Sequence, residues 1–421
     1  MNIEFQRRKE IQKLLQLKEN GRIKVIEGLR QVGKSFLLKK LFFRKLIDLG
    51  VSKEKIALLD FLEKDDDIKN EQKLKTRIKS ILKVHKVKFL FMDEIQLVKN
   101  YGTILKSVHL QHPELDIYIT GSNSKTLSKD IQREIGAVDS DEIFVRPLSF
   151  EEIKLDYPSF KFSEYFSYGG LPKVIRADQV EEKERFLNDL YRETYEKDIL
   201  DRVDDLRNIG ENEKRKILQR IFDTITTGVS IKSISQQINS SNKAIIKNST
   251  AVHAEVDTFI KRVVDSFLFE IMETDTSGSK QSKKKALEHN EKCYCEDHGL
   301  LRHASHAMNL DSAVFENLIF TNLIAKGYQP VSLKFDYLDS ITGEECKNRE
   351  IDFSFVRNGL RHLVQAVLVL TDENYQREVH NLLFSEKGEK KIIVYNYGAT
   401  SQHPNSQGIE FIQIEHFLNM L

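Results

Sequence analysis

The chain of 421 residues has little cysteine, little proline, no excess of either charge and no long apolar run. Its three cysteines, Cys293, Cys295 and Cys346, cannot form a full disulfide set, and so sparse a use suits a reducing compartment rather than a disulfide-stapled secreted fold. Sixty-five Lys and Arg against 64 Asp and Glu leave a formal charge of +1, so no global field favours nucleic acid or an anionic membrane, and any basic patch is local. Nowhere do about 18 apolar residues run together, and the first ten residues, MNIEFQRRKE, lack an apolar signal core. The expectation is a soluble cytoplasmic protein with no membrane contact. Six prolines, 40% hydrophobic residues and a mean hydropathy of −0.43 suit a folded, surface-charged chain, and the length leaves room for about three domains. No internal repeat is evident. Cys293-Tyr294-Cys295 has no second Cys/His pair at zinc spacing, and reads as an alternating strand followed by a turn.

Against those absences stands one strong motif. Gly28-Leu29-Arg30-Gln31-Val32-Gly33-Lys34-Ser35 follows the apolar run Ile23 to Ile26 and opens a helical pattern at Phe36. Strand, loop and helix in that order form a phosphate-binding loop. Glycines 28 and 33 let backbone N–H groups close around a polyphosphate, Lys34 brings a point charge to the β and γ oxygens, and the Ser35 hydroxyl is placed for Mg²⁺ at the helix N-terminus. Residues 28 to 36, ending at Phe36, are the candidate nucleotide site. A second apolar run, Lys88 to Met92, delivers Asp93-Glu94 to a strand end, Asp93 for Mg²⁺ and Glu94 to polarise the attacking water. A third, Leu115 to Thr120, ends in Gly121-Ser122-Asn123-Ser124, where Ser122 or Asn123 would lie beside the γ-phosphate, unless this is an ordinary turn.

Strands near 23–27, 56–61, 87–92, 115–120 and 141–145 alternate with helices, as in a doubly wound α/β domain ending near Pro147. From Glu151 to about 208 the pattern is helical, broken at Gly169-Gly170-Leu171-Pro172. Three helical stretches within 213–272 suit a winged helix-turn-helix. Lys261 and Arg262 lie on its recognition-helix candidate, which would meet double-stranded DNA or serve as a docking module for a protein partner. The polar stretch Thr274 to Lys285 reads as a wing or exposed linker whose basic end can meet phosphates. The last segment mixes a helix at 314–326 with strands at 350–355, 362–369 and 391–395.

Taken in order, Glu27 to Ser35, Phe91 to Gln96, Ile119 to Ser124, Pro147 to Glu152, Gly169 to Pro172, Lys197 to Ile199, Phe315 to Asn317 and Glu350 to Phe353 resemble a bacterial and archaeal family of AAA-type P-loop ATPases. That family carries a C-terminal domain related to PD-(D/E)XK nucleases. The resemblance implies an α/β P-loop domain with a parallel sheet (1–150), a helical lid (151–210), a winged helix-turn-helix (211–289) and a nuclease-like α/β domain (290–421). It also implies ATP and Mg²⁺ as cofactors, and an oligomer is compatible with it. The choice of ATP over GTP rests on the resemblance, since no Asn-Lys-x-Asp run is present.

Two departures stand out. The arginine the family usually carries before Pro147 is absent, with Arg133 and Arg146 the nearby substitutes. Nuclease chemistry needs an acid and then Glu-x-Lys on the next strand to hold metal and orient hydroxide; here Asp352 is followed by Gln365-Ala366-Val367, so an active nuclease is the least expected function. The leading expectation is an ATP-hydrolysing switch. A nucleotide-gated DNA-binding regulator or defence component with little turnover is the alternative.

Overall fold

The computed structural model describes residues 3–62, 70–84, 86–121, 133–134, 136, 139–192, 200, 209–225, 255, 258–260, 262–263, 268–278, 291–308, 310–338, 345–383, 389–398 and 408–421. Two compact units divide it, one of Asn2–Leu148 and one of Ser149–Val264 with Leu268–Leu421.

In the first unit, β1 (Ile23–Gly28), β2 (Ile56–Asp60), β3 (Phe89–Asp93), β4 (Asp116–Thr120) and β5 (Ser140–Val145) form a parallel sheet in the order β2-β3-β4-β1-β5. Burial follows position in the sheet. Every residue of β1, β3 and β4 is buried, as strands covered by helices on both faces require, whereas the edge strands β2 and β5 are only partly buried. On one face Val25, Met92 and Ile119 pack against Leu74 and Ile78 of the helix Glu71–Val84 and Ile104 and Leu105 of the helix Tyr101–Gln111. On the other, Phe91 and Tyr118 meet Phe42 of the helix that follows the phosphate loop, ring centroids 4.9 to 5.9 Å apart. Because β4 inserts between β3 and β1, the carboxyl ends of all three lie side by side. That edge is where ligands bind open α/β sheets.

The second unit contains a seven-stranded mixed sheet in the order β12-β11-β10-β9-β8-β6-β7. Its strands are β6 (Phe269–Gly278), β7 (Glu291–Cys295), β8 (Val331–Leu338), β9 (Glu345–Arg357), β10 (Leu360–Leu370), β11 (Lys390–Gly398) and β12 (Ile409–Gln413). The β6–β7, β8–β9 and β9–β10 pairs are antiparallel; β6–β8, β10–β11 and β11–β12 are parallel. The helix Leu310–Ala325 is apolar nearly all round and buried, and Asp372–Leu383 seats Tyr375, Val379 and Leu382 on Leu363, Val367 and Ile393 of the sheet. Shorter helices, Phe150–Asp156, Phe162–Tyr168, Pro172–Arg176 and Val180–Asp189, fill the span expected to be helical.

One stretch differs from expectation. Residues 269–278, read partly as the end of a helical module and partly as exposed linker, form β6. Met272 and Thr274 are buried while Glu273 and Asp275 are exposed, a period-two pattern too short and too polar to stand out in the sequence. Of the expected helix-turn-helix, Glu211–Ile225 is helical and Arg262 lies in a helical turn. Residues 226–254, Lys261 and the basic linker from 279 to 290 lie outside the described residues.

Candidate functional site

The phosphate loop leaves β1 at Gly28, whose φ is 143°. A Cβ there would stand 2.2 Å from the Val145 carbonyl oxygen, so glycine is required by the approach of β5 as much as by any ligand. Gly33, at φ 103°, and Gln31, a non-glycine at φ 63°, complete the turn. The side chains of Leu29 and Val32 are buried in the core, Arg30 and Phe36 are half-buried, and Gln31 is exposed. Leu29 and Val32 therefore have only backbone N–H groups to offer a phosphate. Arg7 is buried beneath the loop and donates to the carbonyls of Val32 at 2.7 Å and Arg146 at 2.8 Å.

The Lys34 ammonium donates to the carbonyls of Gly28 and Leu29 at 3.0 and 2.9 Å. Burial lowers its pKa to about 8, with the Glu94 and Asp93 carboxylates opposing the shift. Asp93 is fully buried. Its Oδ1 accepts hydrogen bonds from the hydroxyls of Ser35 at 2.9 Å and Thr120 at 2.5 Å, while its Oδ2 stands 2.8 Å from the Lys39 ammonium. Lys39 in turn pairs with Asp60 at 2.5 Å.

Glu94 follows in the left-handed region, φ 59° and ψ 46°, held there by donation of its N–H to the Thr120 hydroxyl at 2.9 Å; its carboxylate accepts from the Gln96 amide. A non-glycine residue in this conformation is strained, and such strain gathers at functional sites. The structure thus brings Lys34, Ser35, Asp93 and Glu94 to one sheet edge. Ser122 and Asn123 lie outside the described residues, and Thr120 is the β4 residue that reaches the acids. Sequence reading missed Thr120, Arg7, Lys39 and Asp60. Of the two arginine substitutes, Arg133 is exposed beside Glu134, and Arg146 lies 4.7 Å over the Phe144 ring.

Several conspicuous residues of the second unit have structural work. Ser149 and Glu152 form a capping box that starts the helix Phe150–Asp156. Gly169 adopts φ +79°, and a Cβ there would stand 2.2 Å from the carboxylate of Asp297. Asp297 accepts from Gly170 N–H at 2.8 Å while capping the helix His298–Ala304 through Leu300 N–H at 2.9 Å. The Asn317 amide bonds the backbone N–H and carbonyl of Cys295, each at 2.8 Å. Cys293 and Cys295 are buried strand residues. Asp352 accepts from Ala366 N–H at 2.8 Å, the Gln365 carboxamide oxygen is buried with no hydrogen-bond donor among the described residues, and Val367 belongs to the core. Among the described residues no group of three His, Cys, Asp or Glu is placed to hold a metal, and no helix is long and apolar enough to cross a membrane.

Residues 159–311 match a domain of unknown function, DUF8612. An uncharacterized protein of Haemophilus influenzae is 28% identical over 97% of both chains, and one of Methanocaldococcus jannaschii is 25% identical over 94% of this chain and 85% of its own. Among solved structures, the Aeropyrum pernix Orc1 protein in complex with DNA aligns with a TM-score of 0.32 and 12% identity over 77% of this chain and 95% of that one. Residues 20–154 match the AAA domain family, and the parallel sheet with its phosphate loop lies within that match.

Proposed function

We propose that the chain binds ATP with Mg²⁺ at the edge formed by β1, β3 and β4 and hydrolyses it to drive a switch coupled to DNA or to a protein partner. The observation that carries this reading is the meeting of Lys34, Ser35, Asp93 and Glu94 at one sheet edge. The donor set fits the cofactor: a hydroxyl and a carboxylate, 2.9 Å apart, are hard oxygen ligands of the kind Mg²⁺ takes. Bound there, the metal supplies charge neutralisation for the phosphoryl oxygens.

The chain's own groups do the rest. Backbone N–H groups of the loop and the Lys34 ammonium hold the phosphates, Ser35 and Asp93 hold the metal, and Glu94 orients a water and accepts its proton. Lys34, now spent on two loop carbonyls, has its donors free for phosphate once those bonds are exchanged. Slow turnover follows from the missing arginine, since the positive charge that offsets the negative charge spread over the transferring phosphoryl oxygens must come from elsewhere. In the second unit, the order helix, three strands, helix and strand from Leu310 to Gly398 supports the nuclease-like reading of the fold, and Gln365 and Val367 support its being inactive.

The test is ATP binding and hydrolysis by the wild type, Lys34→Ala and Glu94→Gln, with and without double-stranded DNA. Lys34→Ala should lose nucleotide binding. Glu94→Gln should bind as the wild type does while turnover falls about 100-fold or more, the usual contribution of a positioned base. A rise of wild-type turnover with DNA identifies the coupled partner. Tight binding with no turnover in the wild type sinks the hydrolytic reading and leaves a nucleotide-gated binding protein.

A further inference from the structure

The second unit gathers three carboxylates and one ammonium in a place the P-loop chemistry does not use. Glu350 and Asp352 come from β9, Glu316 from the helix Leu310–Ala325, and Lys292 from β7. The Lys292 side chain is only 5% exposed, against 26% for Glu316 and 29% for Glu350. Its ammonium stands 3.0 Å from Glu316 and 2.6 Å from Glu350. Each of these two acids is also fixed from outside, Glu316 by the Tyr294 hydroxyl at 2.6 Å and Glu350 by the Ser332 hydroxyl at 3.0 Å.

We propose that the Lys292 ammonium is the resident cation of this centre, occupying the place a divalent ion would take between Glu316 and Glu350, so that the centre is closed to Mg²⁺ and Mn²⁺ until the lysine is removed. Hard oxygen ligands converging from separate elements on one point are what such an ion requires, at about 2.1 Å for Mg²⁺. An ammonium within 3.0 Å of both carboxylates fills that point, and two cations cannot share it. Next along β10, Gln365 brings a neutral oxygen rather than a fourth acid. The closure therefore depends on a residue from outside β9 and β10, and it stands or falls independently of any nuclease reading.

The experiment counts Mn²⁺ bound by the full chain, without nucleotide, from loss of the free-ion EPR signal, in an Asp93→Asn background that silences the P-loop edge. With Lys292 present, Glu316→Gln should change nothing. Lys292→Ala should bind about one additional Mn²⁺, lost again in Lys292→Ala with Glu350→Gln, while Lys292→Arg, which keeps the cation, should gain none. If Lys292→Ala fails to fold in metal-free buffer, the proposal requires millimolar Mn²⁺ to restore its melting transition. The proposal is overturned by Mn²⁺ bound in the presence of Lys292 at a site that Glu316→Gln removes. It is equally overturned by a folded Lys292→Ala that binds no additional Mn²⁺, by an unfolded one that Mn²⁺ does not restore, or by a gain in Lys292→Arg.

Discussion

Thr120 sits where one hydroxyl controls two acids. It donates to Asp93 at 2.5 Å and accepts the N–H of Glu94 at 2.9 Å, so it fixes both the metal-side carboxylate and the backbone that aims the water-side one. Valine has nearly the same shape and neither bond. Thr120→Val should therefore cost about 1 to 3 kcal/mol in urea denaturation, because a buried carboxylate loses a donor and a buried N–H loses its acceptor. It should lower single-turnover hydrolysis more than nucleotide affinity, and Thr120→Ser should restore most of both. Equal losses in affinity and rate, or no rescue by serine, would count against this role. Lys34, Ser35, Asp93 and Glu94 were legible in the sequence because their spacing follows from the strand-loop-helix geometry itself. Thr120 was not, since a threonine ending a strand is a common strand residue until its partners are known. Arg7 was hidden for another reason: its two carbonyl partners lie 25 and 139 positions away.

At the scale of elements, the helix after the phosphate loop does two jobs. Residues Leu37–Phe42 take a π-helical turn, which puts Leu37, Leu38, Leu41 and Phe42 in the core, while Lys39 lies between Asp60 at the end of β2 and Asp93 at the end of β3. One ammonium thus ties the phosphate-loop helix to two strand ends. Lys39→Met keeps much of the stem and removes the charge, leaving Asp93 buried with only its hydroxyl donors. The expected outcome is a loss of about 1 to 3 kcal/mol, below the range for breaking a fully buried pair because Lys39 is 24% exposed. Mg²⁺-dependent nucleotide binding should shift its metal midpoint, and Lys39→Arg should recover both. Unchanged denaturation and an unchanged Mg²⁺ midpoint would refute the tie. The central strands were legible to within about two residues because burial on both faces demands unbroken apolar runs. The π turn and β6 were not: the first leaves no period of its own, and the second hides a buried alternation in a polar stretch.

On the scale of the whole molecule, the sequence marks α/β and helical segments through its composition shifts. It could not show that conspicuous residues such as Gly169, Gly170 and Asn317 serve packing within the second unit, since contacts with Asp297 and Cys295 close only in the fold. The same packing buries two adjacent titratable groups with opposite consequences for stability. Burial raises Asp297 from 3.8 to about 6, and burial lowers His298, whose Nε2–H donates to the Tyr165 carbonyl at 2.7 Å, from 6.5 to about 4. Between pH 4 and 6 the folded chain holds an extra proton at Asp297, so this group's contribution is present at low pH and is lost as pH rises through 6. Over nearly the same window the unfolded chain holds the extra proton at His298, whose contribution is present above 6.5 and is lost as pH falls toward 4. Each is worth about 3 kcal/mol, and they nearly cancel. The wild-type melting temperature should accordingly change little from these groups between pH 4 and 6. Asp297→Asn should uncover the histidine and make the melting temperature fall steeply with acid, while His298→Gln, which keeps a donor for Tyr165, should make it rise as pH falls from 6 to 4. Parallel pH slopes for both variants and the wild type, read by calorimetry, would show that neither group titrates as its burial requires.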